Sequence, residues 1–154
     1  MVWFKIKKIN KRNRLFFIPL TALILIAIAA LLFGPSAKYE VKAGSCVFKA
    51  AGALKAKDQY RGLSKRKHLD ADRGMLFLFQ NQADQNFVMR DMNFPLDIIF
   101  IKNHRVINLY NNLPPAGDGP LTSYHSGAPV DAVLEITAGR SQGCGIGVGS
   151  EVLW

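Results

Sequence analysis

The 154 residues carry twenty Lys and Arg against eleven Asp and Glu, a net charge of +9, with two cysteines and three histidines. The length allows one domain of ordinary size. Six of the cations crowd into residues 1–14, and residues 15–154 keep fourteen against eleven, or +3. A balance that small excludes a nucleic-acid binder held by net charge.

Residues 1–14 hold Lys5, Lys7, Lys8, Lys11, Arg12 and Arg14 and no acidic residue. The uncharged run LFFIPLTALILIAIAALLF follows at 15–33. As a helix rising about 1.5 Å per residue it would span roughly 28 Å, close to the hydrocarbon thickness of a bilayer. Pro19 falls in its first turns, where a missing amide costs little, and Gly34-Pro35 ends it. The run is expected to be a single-pass signal-anchor in a cell membrane. The cations before it keep the N-terminal tail cytoplasmic and send the rest of the chain outside. The alternative is a secretory signal cleaved near Ala29, after the small residues Ala27-Ile28-Ala29, which would release the domain with the same orientation. The chain thus divides into a cytoplasmic tail at 1–14, a membrane helix at 15–33, a linker at 34–37 and an extracytoplasmic domain at 38–154.

Within that domain, residues 39–49 read as two strand segments around Ala43-Gly44-Ser45. Tyr60, Leu63 and His68 stand at roughly helical spacing, which predicts a short helix over 58–69. Residues 75–79, MLFLF, form an apolar run of strand length, and the Asn, Asp and Gln of 80–86 predict a turn. Residues 96–101 and 106–110 make a hairpin about a polar link in which Asn103 tolerates positive φ. Two prolines and two glycines leave 114–120 irregular. A strand is expected at 132–137, a turn or short helix from Ala138-Gly139, and a last strand at 151–154. Short strands outnumber helices, so the domain is expected to be mainly β, a small barrel or sandwich with one or two short helices.

Arg61-Gly62-Leu63-Ser64-Lys65-Arg66, Gly74-Met75-Leu76-Phe77 and above all FVMRDMNFPLDIIFI at 87–101 carry a resemblance to a known family. Val133-Leu134-Glu135, Ala138-Gly139, Gly145-Ile146 and Gly149 extend it. The domain resembles the domain of unknown function 192 family, found in bacteria and archaea and often exported. The resemblance covers the whole extracytoplasmic domain and implies a compact β-rich fold, with no activity, substrate or partner attached. Three departures stand out: Val88 where that family usually has tryptophan, Asp91 where it usually has asparagine, and no cysteine after Pro114-Pro115.

Asp97 shares a strand face with Ile99 and Ile101, so its carboxylate is expected to be buried and to need hydrogen bonds or a cation. One reading makes it a structural carboxylate tying a turn. The other groups Arg90, Asp91 and Asp97 as a polar site at the mouth of the β-structure, able to hold a small anion or move a proton. Arg61 is a further ligand-binding candidate, beside the reading of a solvated helix face. Cys46 and Cys144 both lie in the exported part, where a disulfide is permitted; free thiols are the alternative. His68, His104 and His125 lack metal-ligand spacing, and Gly143-Cys144-Gly145-Ile146-Gly147 lacks the Lys-Ser/Thr of a phosphate loop. No metal or cofactor is therefore expected.

These features together predict a binding or accessory module at the cell envelope. Its expected partners are the bilayer through 15–33 and an envelope protein or small ligand, with no nucleic acid. The alternative is a small hydrolase or lyase with Asp97 and Arg90 or Asp91 as its acid and base.

Overall fold

Residues 38–154 are the part of the chain that the computed structural model describes, and they fold as nine strands and two short helices. The tail, the membrane segment and the linker expected at 1–37 lie outside the described residues. Strands β1 (Lys38–Ala43) and β2 (Cys46–Ala53) form an antiparallel hairpin about Gly44-Ser45. Gly44 has φ +57, and a β-carbon there would stand 2.1 Å from the carbonyl oxygen of Cys144, so glycine is required on both counts.

Helix α1 (Ala56–Arg61) then crosses to β3 (Arg73–Ala83), which runs parallel to β2 in an otherwise antiparallel sheet. The helix is shorter than the predicted 58–69, because Gly62 at φ +51 turns the chain out of it. β3 is longer than its apolar run: the polar residues up to Ala83 stay extended and exposed, and the turn expected over 80–86 shrinks to Asp84-Gln85. The short strand β4 (Asn86–Val88) pairs with β7 (Ser123–His125) in a separate two-stranded ribbon that the sequence reading did not anticipate.

Strands β5 (Leu96–Lys102) and β6 (Arg105–Leu113) make the expected hairpin, with Asn103 and His104 both at positive φ. That is the geometry a two-residue link needs to match the strand twist. β8 (Val130–Thr137) inserts between β3 and β5, α2 (Arg140–Gly143) follows, and β9 (Val152–Leu153) closes the chain, shorter than the predicted 151–154. The main sheet has the order β6-β5-β8-β3-β2-β1-β9. A bridge between Arg105 and Glu151, with Val106 N–H donating to the Ser150 carbonyl at 3.0 Å, brings its two edges together at one point. The domain is mainly β, a half-barrel sheet with two short helices.

Curvature gives the sheet two unequal faces, each with its own core. The inner face collects residues from all seven strands, among them Val41, Phe48, Leu76, Ile99 and Leu134, and Ile146 from the loop after α2 packs with them. The outer face of β3, β5 and β8 presents Phe77, Ile98, Phe100 and Val133. Leu63, Met89, Phe87 and Tyr124, from α1's trailing loop and the ribbon, cover it. Burying a side chain of this size contributes roughly 2 kcal/mol. Cys46 and Cys144 are bonded across 98 residues of chain, joining the start of β2 to the end of α2. A cross-link closing so long a loop is worth about 4–5 kcal/mol on the chain-entropy model.

Candidate functional site: a carboxyl pocket on the outer face

Side chains alternate along β5 and β8, so each strand sends one acidic residue into a different core. Asp97 points to the inner face and is fully buried. Its Oδ1 accepts from the amides of Asn112 at 2.8 Å and Gly139 at 3.0 Å, and its Oδ2 from the amide of Ser141 at 2.9 Å and the Ser141 hydroxyl at 2.6 Å. Asn112 and Gly139 both sit at positive φ, which turns their N–H groups toward the carboxylate. Four donors fill it without any cation. Asp97 therefore pins the end of β6 and the start of α2 to β5, and its oxygens are closed to a substrate.

Glu135 occupies the corresponding place on the outer face. It pairs across the sheet with Met75 on β3 and Ile98 on β5, and only 6 % of its surface is exposed. Its Oε2 finds no hydrogen-bond partner among the described residues. Burial raises its pKa from 4.5 to about 8, against a smaller lowering by the charge of Arg66. At neutral pH the group is a carboxylic acid, one O–H donor beside a free acceptor.

The acid forms the floor of a cavity of about 220 Å3. Phe77, Phe79 and Phe87 make its apolar walls, and Val88 and Met92 complete them. Phe87 meets Phe77 edge-on with ring centroids 5.0 Å apart, which fixes the wall's shape. Gln59 anchors α1 above it by donating to the carbonyls of Ala53 at 3.2 Å and Leu78 at 3.0 Å. At the mouth, the Arg90 guanidinium lies 4.1 Å from the centre of the Tyr60 ring and donates to the Tyr60 carbonyl at 2.6 Å. Arg61 pairs with Asp58 at 3.2 Å.

Two loops shape this mouth, and they are tied to each other. Ser64 Oγ donates to the Arg90 carbonyl and the Lys65 amide to the Asp91 carbonyl, both at 2.8 Å. Lys65 at φ +63 and Asp91 at φ +53 are held in the left-handed region, a cost of about 1–2 kcal/mol each for residues with a β-carbon. Strain of this kind persists where the surroundings over-determine the backbone.

Of the four site residues predicted from sequence, the structure brings together Arg61 and Arg90, both at the mouth of this pocket. Asp91 is exposed and faces a neighbouring shallow depression with Lys65, Asn93 and Asp118. Asp97 is on the opposite face of the sheet, so it does not form an acid–base pair with Arg90 or Asp91. Glu135 is a site residue outside the sequence-based candidates. The signal was available: an acid between Leu134 and Ile136, inside a strand whose neighbours are all apolar, has the pattern that marked Asp97.

A larger open groove of about 660 Å3 runs past Lys38, Lys49, Arg66, His68 and Arg73. All five are exposed; Lys49–Asp72 at 3.6 Å is a surface ion pair of small energetic worth, and His68 Nε2 stands 3.5 Å from Asp70 Oδ1. Among the described residues no three His, Cys, Asp or Glu side chains gather as metal ligands.

Residues 39–154 match the domain of unknown function 192 family, described as "Uncharacterized ACR". No curated protein matches the chain. Two solved structures resemble it. One is a protein of unknown function from Novosphingobium aromaticivorans, 33% identical, with a TM-score of 0.71 over 76% of this chain and 85% of that one. The other is a proposed transcription regulator from Sinorhizobium meliloti, 25% identical, with a TM-score of 0.72 over 77% of this chain and 95% of that one. With a family match that runs from the first strand to the last residue, the chain belongs to the domain of unknown function 192 family.

Proposed function

We propose that this protein is a membrane-tethered, extracytoplasmic binding module that takes a small ligand into the pocket above Glu135. The observation that carries the reading is the unpartnered, buried carboxyl at the floor of that pocket. A buried polar group without a hydrogen bond costs about 1–3 kcal/mol, a substantial part of the stability of a domain this size. An apolar residue would serve the outer core better, so the acid is explained by something that enters and completes it. The aromatic walls supply the apolar contact that small-ligand sites use, and the polar groups are few and convergent. The tether rests on the apolar run at 15–33 and the six cations before it.

Two measurements test the reading. A fragment screen by saturation-transfer NMR on the full chain in nanodiscs should yield ligands that Val88→Trp, which fills the pocket from its wall, displaces. A screen with no hit sensitive to that substitution would contradict the binding role. Protease added outside spheroplasts should digest the folded domain while an epitope on the N-terminal tail survives; digestion only after lysis would contradict the orientation.

A further inference from the structure

We infer that the pocket's ligand is a small organic monoanion, a carboxylate-type group on a compact apolar body, bound between the Glu135 carboxyl and the arginines of the mouth. This rests on the binding role proposed above and specifies what is bound. The size comes first: about 220 Å3 between Phe77, Phe79 and Phe87 admits one ring or a short branched chain. The floor of the pocket sets the chemistry of its ligand. Glu135 Oε2 has no partner among the described residues, and burial keeps the carboxyl protonated, so its complement is an acceptor. The strongest ordinary acceptor is an anionic oxygen, because an O–H···O⁻ bond is charge-assisted and roughly twice as strong as a neutral one.

Charge around the pocket points the same way. Helix α1 brings Arg61, paired to Asp58, and the loop after it brings Arg66, whose field reaches Glu135. The loop after β4 brings Arg90. From the strands beneath, β3 and β5 contribute Met75, Phe77 and Ile98, with no charge. Apart from Glu135, the charged residues that line the pocket are two cations, Arg61 and Arg90. Arg90 spends one N–H on the Tyr60 carbonyl and keeps a planar fork of further donors at the mouth. An amide ligand would satisfy the acid and leave these cations unused. An ammonium ligand would have to pass them.

Three probes of one size separate the classes: benzoate, benzamide and benzylamine, titrated into the full-length protein in nanodiscs at about pH 6, where Glu135 is protonated. Benzoate should bind at least about tenfold more tightly than either neighbour, as one added charge-assisted bond implies. Val88→Trp should abolish its binding, and Arg90→Gln should weaken benzoate about tenfold and benzamide by clearly less. A pocket that prefers benzamide or benzylamine, with Val88→Trp still displacing it, overturns the anion and leaves the binding role standing. Benzoate affinity indifferent to both Arg90→Gln and Arg61→Gln also overturns it. Failure of all three probes, together with no Val88-sensitive fragment, overturns both readings.

Discussion

The Oε2 of Glu135 lies beneath Gly62, so near that a β-carbon on that glycine would stand 3.8 Å from it. The same β-carbon would stand 3.6 Å from the edge of Phe77. Both are ordinary contact distances, and the space itself would tolerate a methyl group. What resists it is the backbone, at φ +51. With ψ −136 the residue lies outside the left-handed helical well, in a region essentially reserved for glycine, so Gly62→Ala is expected to cost about 1–3 kcal/mol and to narrow the pocket above the acid. Urea denaturation reads the first effect and benzoate affinity the second; a loss well above that range would show a clash that the geometry does not contain.

Glu135 should leave a signature in the pH dependence of stability. Its folded pKa of about 8 stands above the unfolded value of 4.5, so the folded state holds a proton that the unfolded state releases between those limits. Stability from this residue is fully present below pH 4.5, falls as pH rises through the window, and levels off above 8. The total is on the order of 5 kcal/mol. Glu135→Gln should remove that slope, so that the variant gains on the wild type from pH 5 to pH 8 in urea denaturation. Parallel profiles for the two proteins would mean the carboxyl is already ionised in the fold.

Asp97 should behave as a structural residue. Asp97→Asn replaces one of two fully occupied oxygens by an NH2 facing donors, and a loss of about 3 kcal/mol is expected. Whatever fraction stays folded should bind benzoate as the wild type does, since the two acids face opposite cores. Loss of binding by a variant that remains folded would join the two sites and contradict the separation drawn here.

The disulfide is expected to matter more than any single core contact. Replacing Cys46 and Cys144 by alanine should lower stability by about 4–5 kcal/mol on the loop-entropy model, enough to unfold a marginal domain near physiological temperature. Thermal melts with and without reductant check this; coincident melts would show that the cross-link is absent or idle in solution.

Much of this architecture was legible in the chain because its signals are local. Asn103 between two alternating apolar runs announces the β5–β6 hairpin, and the shared face of Asp97, Ile99 and Ile101 announces a buried carboxylate. The signals that failed are those set by distant partners. Nothing near Asn86 or Ser123 says that these short strands pair across 37 residues. Nothing near Cys46 says that Cys144 comes to meet it. The helical spacing of Tyr60, Leu63 and His68 was outweighed by one glycine. The pocket is the clearest case: Leu134 and Ile136 mark Glu135 as buried, but only the meeting of α1, β3, β4 and β8 places Arg61 and Arg90 around it.

The carboxyl carbon of Glu135 reports directly on whether a neutral acid at the pocket floor receives an anionic ligand. Followed by 13C NMR in the full chain, its resonance should titrate with a midpoint of about 8 in the free protein. Saturating benzoate should move the midpoint higher still, because a ligand that binds only the protonated form holds its proton in place. A midpoint near the ordinary glutamate value, or one that benzoate leaves unmoved, would contradict the account.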